Sequence, residues 1–375
     1  MRVWRLIGIA FTLGCALLAA QAEAQRLFDR LKERLGPAAG VVETAIENRA
    51  AFTGFTEEEE IEIARRNSEQ FEAQATFVDD PQLDAYLNDI VRRLAAHAEP
   101  RPFEYRVKVV SDASINAFTF GAGFLYVNAG LLARMENEAQ LAMVLGHEIA
   151  HAAESHVTEG MKADAGINLL GQLAGQAAAA SGRLDPQVLA KTYEYSMNAA
   201  LNGHGRGQES EADELGLHYM VGAGYDAREA SGTFEQLLKE YGDSSKMEAF
   251  FYSSHPRNEE RMARADAWVK ANAARLEASS LTVNTEEFRR LTHGIVVAMG
   301  RLDYESQRFE AAHAMFTKAA GDGVADPEPH YYLGLLHERR GERAEAVSAY
   351  ERYLALEPNP ADAARIRAYL DGARN

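Results

Sequence analysis

Apolar and polar positions recur with helical spacing along most of the chain. Between residues 56 and 97 the pattern predicts two amphipathic helices, the first of which opens with a capping box of Thr56 and Glu59. Residues 103–110 alternate apolar and polar side chains and predict a strand, and residues 118–128 predict a second one. The sequence therefore predicts an α+β fold that is predominantly α-helical and contains a small β-sheet.

The last part of the chain repeats with a period of 34 residues. Three pairs of residues show this spacing: Gly300 and Gly334, Ala312 and Ala346, and Phe316 and Tyr350. Small and aromatic residues at these offsets are typical of tetratricopeptide repeats, which predicts two units at 293–326 and 327–360 and a capping helix at 360–373. Because three repeats are usually needed for independent stability, we expect these two to dock on the preceding domain and to present a protein-binding face.

A buried helix with three ionisable side chains is predicted upstream of the repeats. Residues 141–153 are apolar on every face, yet they contain His147, Glu148 and His151 in a His-Glu-x-x-His motif. Two histidines four residues apart lie one turn apart on a helix and can bind one metal ion. Glu148 then lies beside the metal, where it can take a proton from a metal-bound water. Burial of such groups is costly unless something pairs them, which favours a real metal site.

A catalytic zinc ion typically needs a third protein ligand. The metzincin pattern would require Gly at 154 and His at 157, whereas the chain has Glu154 and Val157. The other common solution is a glutamate on a separate helix, and Glu209 with Asp213 on the same helical face provides it. We therefore predict one Zn²⁺ per chain, bound by the two motif histidines and Glu209, with Asp213 orienting a ligating imidazole.

Four separated segments of the chain resemble peptidase family M48. In chain order they are the strand-like residues 116–132, the motif at 147–151, the Arg-x-x-Glu-x-x-Ala-Asp pattern at 206–213, and the Ser-Ser-His-Pro segment at 253–261. Their order and spacing are similar to the family's over roughly residues 56–270. The resemblance implies a gluzincin metalloprotease domain at 56–276, which a linker at 277–292 joins to the repeats at 293–375.

The resemblance also implies roles for residues outside the ligand set. His255 is expected near the metal, either as a regulatory extra ligand or as a transition-state helper, and Arg206 and Arg261 are expected to brace the site. In such peptidases an exposed edge strand beside the active-site helix pairs with the substrate backbone. The residues expected to form that strand are Gly121, Ala122, Gly123, Phe124, Leu125 and Tyr126. The same segment also fits an ordinary core hairpin, and the two interpretations are compatible.

The N-terminal residues 1–24 have the pattern of a signal peptide. Two arginines precede an apolar run at 6–20, and an Ala-x-Ala site follows at 22–24. This run is shorter than the roughly 20 residues of a spanning helix, which favours cleavage over an uncleaved anchor. Residues 25–55 include an amphipathic stretch that fits a helix docked on the domain or lying on a membrane. The net charge of −17 argues against nucleic acid as a partner.

These features together predict a secreted, zinc-dependent endopeptidase that cleaves unfolded or misassembled proteins. Family members that combine the peptidase domain with repeats imply a periplasmic role in the quality control of outer-membrane proteins, with the outer-membrane assembly machinery as a partner of the repeats. The alternative is a chaperone or adaptor with a latent zinc site, in which His255 fills the water position. A membrane-embedded peptidase is disfavoured, because no segment after residue 24 offers about 20 apolar residues.

Overall fold

The structure is a computed structural model that describes residues 55–163, 186–230 and 258–374. Within these ranges, residues 55–163 and 189–374 belong to one compact unit. A second unit, residues 1–54 with 164–188, lies almost wholly outside the described residues. The predicted signal peptide and nearly all of the amphipathic segment at 25–55 are therefore outside them as well.

The described residues form a mainly helical fold with one small sheet, as predicted. In chain order the elements are α1 (Glu57–Glu72), α2 (Pro81–Ala95), β1 (Arg106–Val110), β2 (Ala117–Thr119), β3 (Phe124–Asn128), α3 (Ala129–Leu132), α4 (Glu138–Ala153), α5 (His156–Ala163), α6 (Pro186–Asn202), α7 (Arg206–Gly222), α8 (Asn258–Ala271), α9 (Ala273–Glu277), α10 (Thr285–Glu305), α11 (Phe309–Ala320), α12 (Glu328–Arg340), α13 (Arg343–Leu356) and α14 (Ala363–Arg374).

Side-chain caps determine where the first two helices begin. The Thr56 hydroxyl accepts a hydrogen bond from the backbone N–H of Glu59 (3.3 Å), and the Glu59 carboxylate accepts one from the N–H of Thr56 (2.9 Å). This is the capping box that the sequence predicts. Asp80 caps α2 in a similar way, and Pro81 occupies the first helical position, where a missing N–H costs nothing. The apolar face of α2 then packs on β1 and α4.

The sheet has the strand order β1-β3-β2, with β3 parallel to β1 and antiparallel to β2. The segment predicted as one strand at 118–128 is instead two strands joined by a turn. Gly121, Ala122 and Gly123 in this turn all have positive φ angles, of 88°, 46° and 80°. At Gly123 a Cβ atom would lie 2.2 Å from the carbonyl oxygen of Glu104, so only glycine fits there.

The expectation of an exposed edge strand at residues 121–126 is wrong. Its six residues fall in two places: Gly121, Ala122 and Gly123 form the turn, and Phe124, Leu125 and Tyr126 belong to β3. Because β3 is hydrogen-bonded on both edges, it has no free backbone groups to offer a substrate. The strand next to α4 is β2, which has a single strand neighbour among the described residues.

The central element of the fold is α4, and every one of its residues except Val144 is buried. It packs most extensively on α7, with Gly146 and Gly216 at the crossing point. A Cβ atom on Gly216 would lie 3.0 Å from the backbone nitrogen of His147, and one on Gly146 would lie 3.1 Å from the carbonyl oxygen of Gly216. The two glycines therefore allow the two backbones to approach closely.

The repeat contacts recur with the spacing that the sequence shows. A Cβ atom on Gly300 would meet the ring of Phe316 at 2.9 Å, and one on Gly334 would meet the ring of Tyr350 at 2.4 Å. Helices α10 and α11 form the first pair, α12 and α13 form the second, and α14 packs on α13. Helix α10 begins at Thr285, inside the predicted linker at 277–292.

The repeats share a hydrophobic core with the preceding domain, as two repeats alone would require. Polar contacts reinforce the junction beside the start of α4. The ammonium group of Lys318 donates hydrogen bonds to the carbonyl oxygens of Ala133 (2.8 Å) and Met135 (2.5 Å). The guanidinium group of Arg289 forms an ion pair with Glu136. The first repeat therefore holds the loop that leads into α4.

A buried carboxylate at the first position of α4 joins four parts of the chain. Glu138 accepts hydrogen bonds from the side chains of Tyr86 (2.5 Å), Arg93 (2.6 Å), Tyr225 and Asn284. Burial alone would raise the pKa of Glu138, but these donors lower it below its usual value. The charged carboxylate thus ties α4 to α2, to the end of α7 and to the segment before α10.

None of the described helices combines enough length with enough apolar character to traverse a bilayer.

We expect Gly216→Ala to lower the free energy of unfolding by about 1–3 kcal/mol, because the new methyl group pushes α7 away from α4. Urea denaturation of the metal-free protein measures this change. The control is Gly207→Ala on the same helix, where nothing lies within 4 Å of the added Cβ and alanine should stabilise by up to about 1 kcal/mol. Equal stability of the two variants would contradict the close crossing.

Candidate metal centre

Three side chains from two helices converge inside the domain. His147 and His151 lie one turn apart on α4, and Glu209 lies on the first turn of α7. Their potential ligand atoms all lie within 4.8 Å of one another, and all three side chains are buried. Among the described residues this is the group of His, Cys, Asp and Glu that could hold a metal ion. It is the ligand set that the sequence predicts.

The distances between these atoms fit a small divalent cation. Glu209 Oε2 lies 3.4 Å from His147 Nε2, Glu209 Oε1 lies 3.5 Å from His151 Nε2, and the two Nε2 atoms are 3.0 Å apart. Ligand atoms about 2.1 Å from a tetrahedral zinc ion are about 3.4 Å from one another. Both imidazoles turn the same ring nitrogen toward the shared point, so the donor set and its spacing fit zinc.

Asp213 and Arg261 support His147 from the side opposite the metal ligands. Asp213 Oδ1 lies 3.0 Å from His147 Nδ1, which it can hold in the tautomer that leaves Nε2 free. Arg261 on α8 donates to both carboxylate oxygens of Asp213, from Nη2 at 2.6 Å and from Nε at 2.9 Å. Burial alone would raise the pKa of Asp213, but the charge of Arg261 and the contact with His147 hold it well below its usual range.

The two histidines differ in their affinity for protons. Burial and the charge of Arg261 lower the pKa of His147, but the contacts with Asp213 and Glu209 outweigh them and raise it to about 9. Burial lowers the pKa of His151 well below its ordinary value, and neighbouring imidazoles add to this effect. A metal ion that binds here must therefore displace a proton from His147 but finds His151 already neutral.

The remaining predicted site residues have different positions. Glu148 is buried on α4, one position after the first ligand. Arg206 occupies the first position of α7 with an exposed side chain, and among the described residues it contacts none of the ligands. The bracing role expected of Arg206 therefore stays a prediction. Arg261 lies against Asp213 instead. His255 lies outside the described residues.

Two histidines that the sequence analysis did not use lie beside His151. The ring of His204, just before α7, stacks on His151 with centroids 4.1 Å apart, and its backbone N–H donates to Glu209 at 3.1 Å. His156, at the start of α5, places Nδ1 2.9 Å from Nδ1 of His151. His156 does not stand at the position that the metzincin pattern requires. Helical periodicity gives no indication of its contact with His151, because a turn separates the two residues.

The fold and the site define a metallopeptidase: a buried His-Glu-x-x-His helix is completed by a glutamate from a second helix. The chain belongs to peptidase family M48, whose model matches residues 81–269. A tetratricopeptide-repeat model matches residues 330–360, which cover most of α12 and all of α13. The predicted family and the order of the two regions are thereby confirmed.

Several curated proteins are similar to this chain. The beta-barrel assembly-enhancing protease of Escherichia coli (strain K12) is 26% identical over 304 residues, which cover 78% of this chain and 58% of that protein. Metalloprotease LoiP of the same organism is 30% identical and the match covers 47% and 66%, respectively. The mitochondrial metalloendopeptidase OMA1 of Schizosaccharomyces pombe is 27% identical, covering 52% and 55%. The chain thus spans between about half and two thirds of these relatives.

We expect Arg261→Met to destabilise the metal-free protein by about 3–5 kcal/mol, because Asp213 would remain buried without its main counter-charge. Chemical denaturation in the presence of a chelator measures the effect. Arg264→Met is the matched control: its guanidinium group also contacts Asp213, at 3.5 Å, but is 46% exposed, so the loss should stay below about 1 kcal/mol. Similar losses in both variants would show that the buried pair has no special role.

Proposed function

We propose that this protein is a zinc-dependent endopeptidase that hydrolyses peptide bonds of unfolded or misassembled proteins. The observation that carries the proposal is the convergence of His147 Nε2, His151 Nε2 and a Glu209 carboxylate oxygen within 4.8 Å, with Glu148 next to the first ligand. A set of two histidines and one glutamate leaves the fourth position of a zinc ion open, which is typical of catalytic rather than structural sites.

The chain's own residues provide the remaining parts of the reaction. A bound zinc ion would supply a polarised water and a Lewis acid for the peptide carbonyl. Glu148 accepts the proton of that water and then transfers it to the nitrogen of the leaving amine. Asp213 holds His147 in the ligating tautomer, and Arg261 keeps Asp213 ionised. Because α4 is buried on all sides, these groups work in a site of low dielectric constant, where charge interactions are strong.

The substrate backbone needs a free strand edge near the metal. In an antiparallel pair, every second residue bonds to the partner strand through its backbone groups. Asn116 is such a residue, since its carbonyl oxygen accepts from the N–H of Asn128, and Phe118, opposite Tyr126, is the next one. The backbone groups of Ala117 and Thr119 therefore point away from β3. We infer that β2 takes the role that the sequence analysis placed at 121–126. Backbone recognition of this kind suits an enzyme that acts on extended segments of unfolded chains.

The physiological setting follows from the resemblance and from the repeats. We propose that the protein acts in the periplasm, where its repeats bring the peptidase to proteins of the outer-membrane assembly machinery. Three observations support this proposal. The chain is similar over 78% of its length to a protein named beta-barrel assembly-enhancing protease. It also has the repeats and the signal-peptide pattern at 1–24. A role of the repeats in holding client proteins is part of the same proposal.

We expect the purified wild-type protein to contain one zinc ion and to cleave casein. Glu148→Gln should retain the zinc but lose about 10²–10⁴-fold in cleavage rate, because the general base is removed while the ligands remain. His147→Ala should lose both zinc and activity. Metal analysis by mass spectrometry and fluorescence of labelled casein provide the two readouts.

The outcomes separate the proposal from its alternative. Zinc in wild type with no cleavage, and cleavage only in His255→Ala, would indicate a self-inhibited enzyme that awaits a partner. Zinc with no cleavage in any variant would favour a chaperone or adaptor with a latent site. A wild-type protein without zinc after purification and zinc addition would overturn the assignment of the metal.

A further inference from the structure

A tight turn returns the chain to the metal helix directly after its last residue. Helix α4 ends at Ala153, and Ser155 adopts a positive φ of 56°, so that α5 starts at His156. The guanidinium group of Arg101 donates to the Ala153 carbonyl oxygen (2.5 Å) and to the Ser155 hydroxyl (3.0 Å). The carboxylate of Glu60 accepts a hydrogen bond from Ser155 at 2.8 Å. Polar contacts from α1 and from the segment before β1 therefore define the turn.

This turn places the imidazole of His156 next to that of His151. Their Nδ1 atoms are 2.9 Å apart, and the two side chains are 2% and 0% exposed. Nε2 of His156 lies 3.4 Å from a carboxylate oxygen of Glu211, which is on α7 two residues before Asp213. The backbone carbonyl of His156 accepts a hydrogen bond from the side chain of Gln208 at 3.3 Å. Side chains of α7 thus contact both Nε2 and the backbone carbonyl oxygen of His156.

Proton positions along this chain of groups follow from the ligand geometry. His151 turns Nε2 toward His147 and Glu209, so a metal ligand at this position must carry its proton on Nδ1. The Nδ1 atom of His156 lies 2.9 Å from that nitrogen and must then accept the hydrogen bond. His156 consequently carries its own proton on Nε2, directed at Glu211. Each donor meets an acceptor in this arrangement, whereas a proton on Nδ1 of His156 would place two donors together when His151 also carries its proton on Nδ1.

We propose that His156 is a positioning residue for the metal ligand His151, fixing its tautomer and ring orientation. The proposal rests on the metal site of the proposed function. In this proposal each histidine ligand donates a hydrogen bond to a partner that a charged side chain supports. His147 donates to Asp213, which Arg261 supports. His151 donates to His156, which Glu211 supports. Removal of a residue that hydrogen-bonds a metal-ligating histidine typically lowers the metal affinity by about 10–100-fold.

A purely packing role for His156 predicts something different. The ring of His156 also meets that of His151 edge to face, with centroids 4.9 Å apart and an interplanar angle of 71°. If this contact alone mattered, any side chain of similar size would serve. If the hydrogen bond matters, the replacement must have an acceptor at the position of Nδ1. Asparagine has its amide oxygen close to that position, leucine has nearly the same shape without an acceptor, and glutamine has its oxygen farther from the backbone.

The test measures the zinc affinity of the full chain by competition with a chromophoric chelator. We expect His156→Leu and His156→Gln to bind zinc about 10–100-fold more weakly than wild type, and His156→Asn to stay within about threefold. His218→Leu, at an exposed histidine on α7, is the control that should leave the affinity unchanged. Thermal unfolding of each metal-free variant shows how much of any loss comes from the fold.

Each result bears on the proposal. A wild-type affinity in His156→Leu or His156→Gln would overturn the positioning role and leave the metal site intact. Equal losses in Asn, Leu and Gln variants, in parallel with equal losses of metal-free stability, would overturn it in favour of packing. A wild-type protein without zinc would overturn the metal site and this inference together. Should His156→Leu not fold, the comparison of Asn with Gln, both polar amides, decides alone.

Discussion

The close crossing of α4 and α7 is the constraint on which the rest of the structure depends. The two helices supply all three candidate ligands, and the glycines at 146 and 216 bring their backbones into direct contact. Only at this separation can a short glutamate side chain from one helix meet two imidazoles from the other. The same approach places Asp213 against His147 and Glu211 near His156. Ligands and the groups that orient them are therefore set by a single helix–helix contact.

That contact also explains why so much charge is buried here. Two ligand histidines, three carboxylates and one arginine lie within one apolar interior, and isolated charges of this kind would be unstable. Each group has a partner of opposite character: Asp213 lies between His147 and Arg261, and Glu209 faces both imidazoles. A bound cation would add positive charge to a site that holds three buried carboxylates and one arginine. The interior is thus arranged for an ion as well as for packing.

The features that the sequence and the structure share depend on local spacing. The His-Glu-x-x-His motif, Glu209 with Asp213, and the glycine and aromatic pairs 34 residues apart all follow from helical periodicity. What the sequence does not predict is the direction that chain segments and side chains take in the tertiary structure. The mainly apolar segment at 118–128 does not reveal that three positive φ angles fold it into a hairpin with β3 in the centre of the sheet. Similarly, a motif position does not reveal that Arg206 points to solvent or that the turn at Ser155 returns His156 to the ligand.

The repeats belong to this arrangement because they hold the start of the metal helix. Glu138 begins α4, and its side chain and backbone both bond to Asn284, directly before α10. Lys318 and Arg289 hold the preceding loop from the first repeat. Since α4 is one continuous helix and is buried along its length, a shift at Glu138 is carried toward His147 rather than absorbed in a loop. The repeats are therefore part of the support of the metal site, and a change in how they sit on the domain would be felt by the ligands.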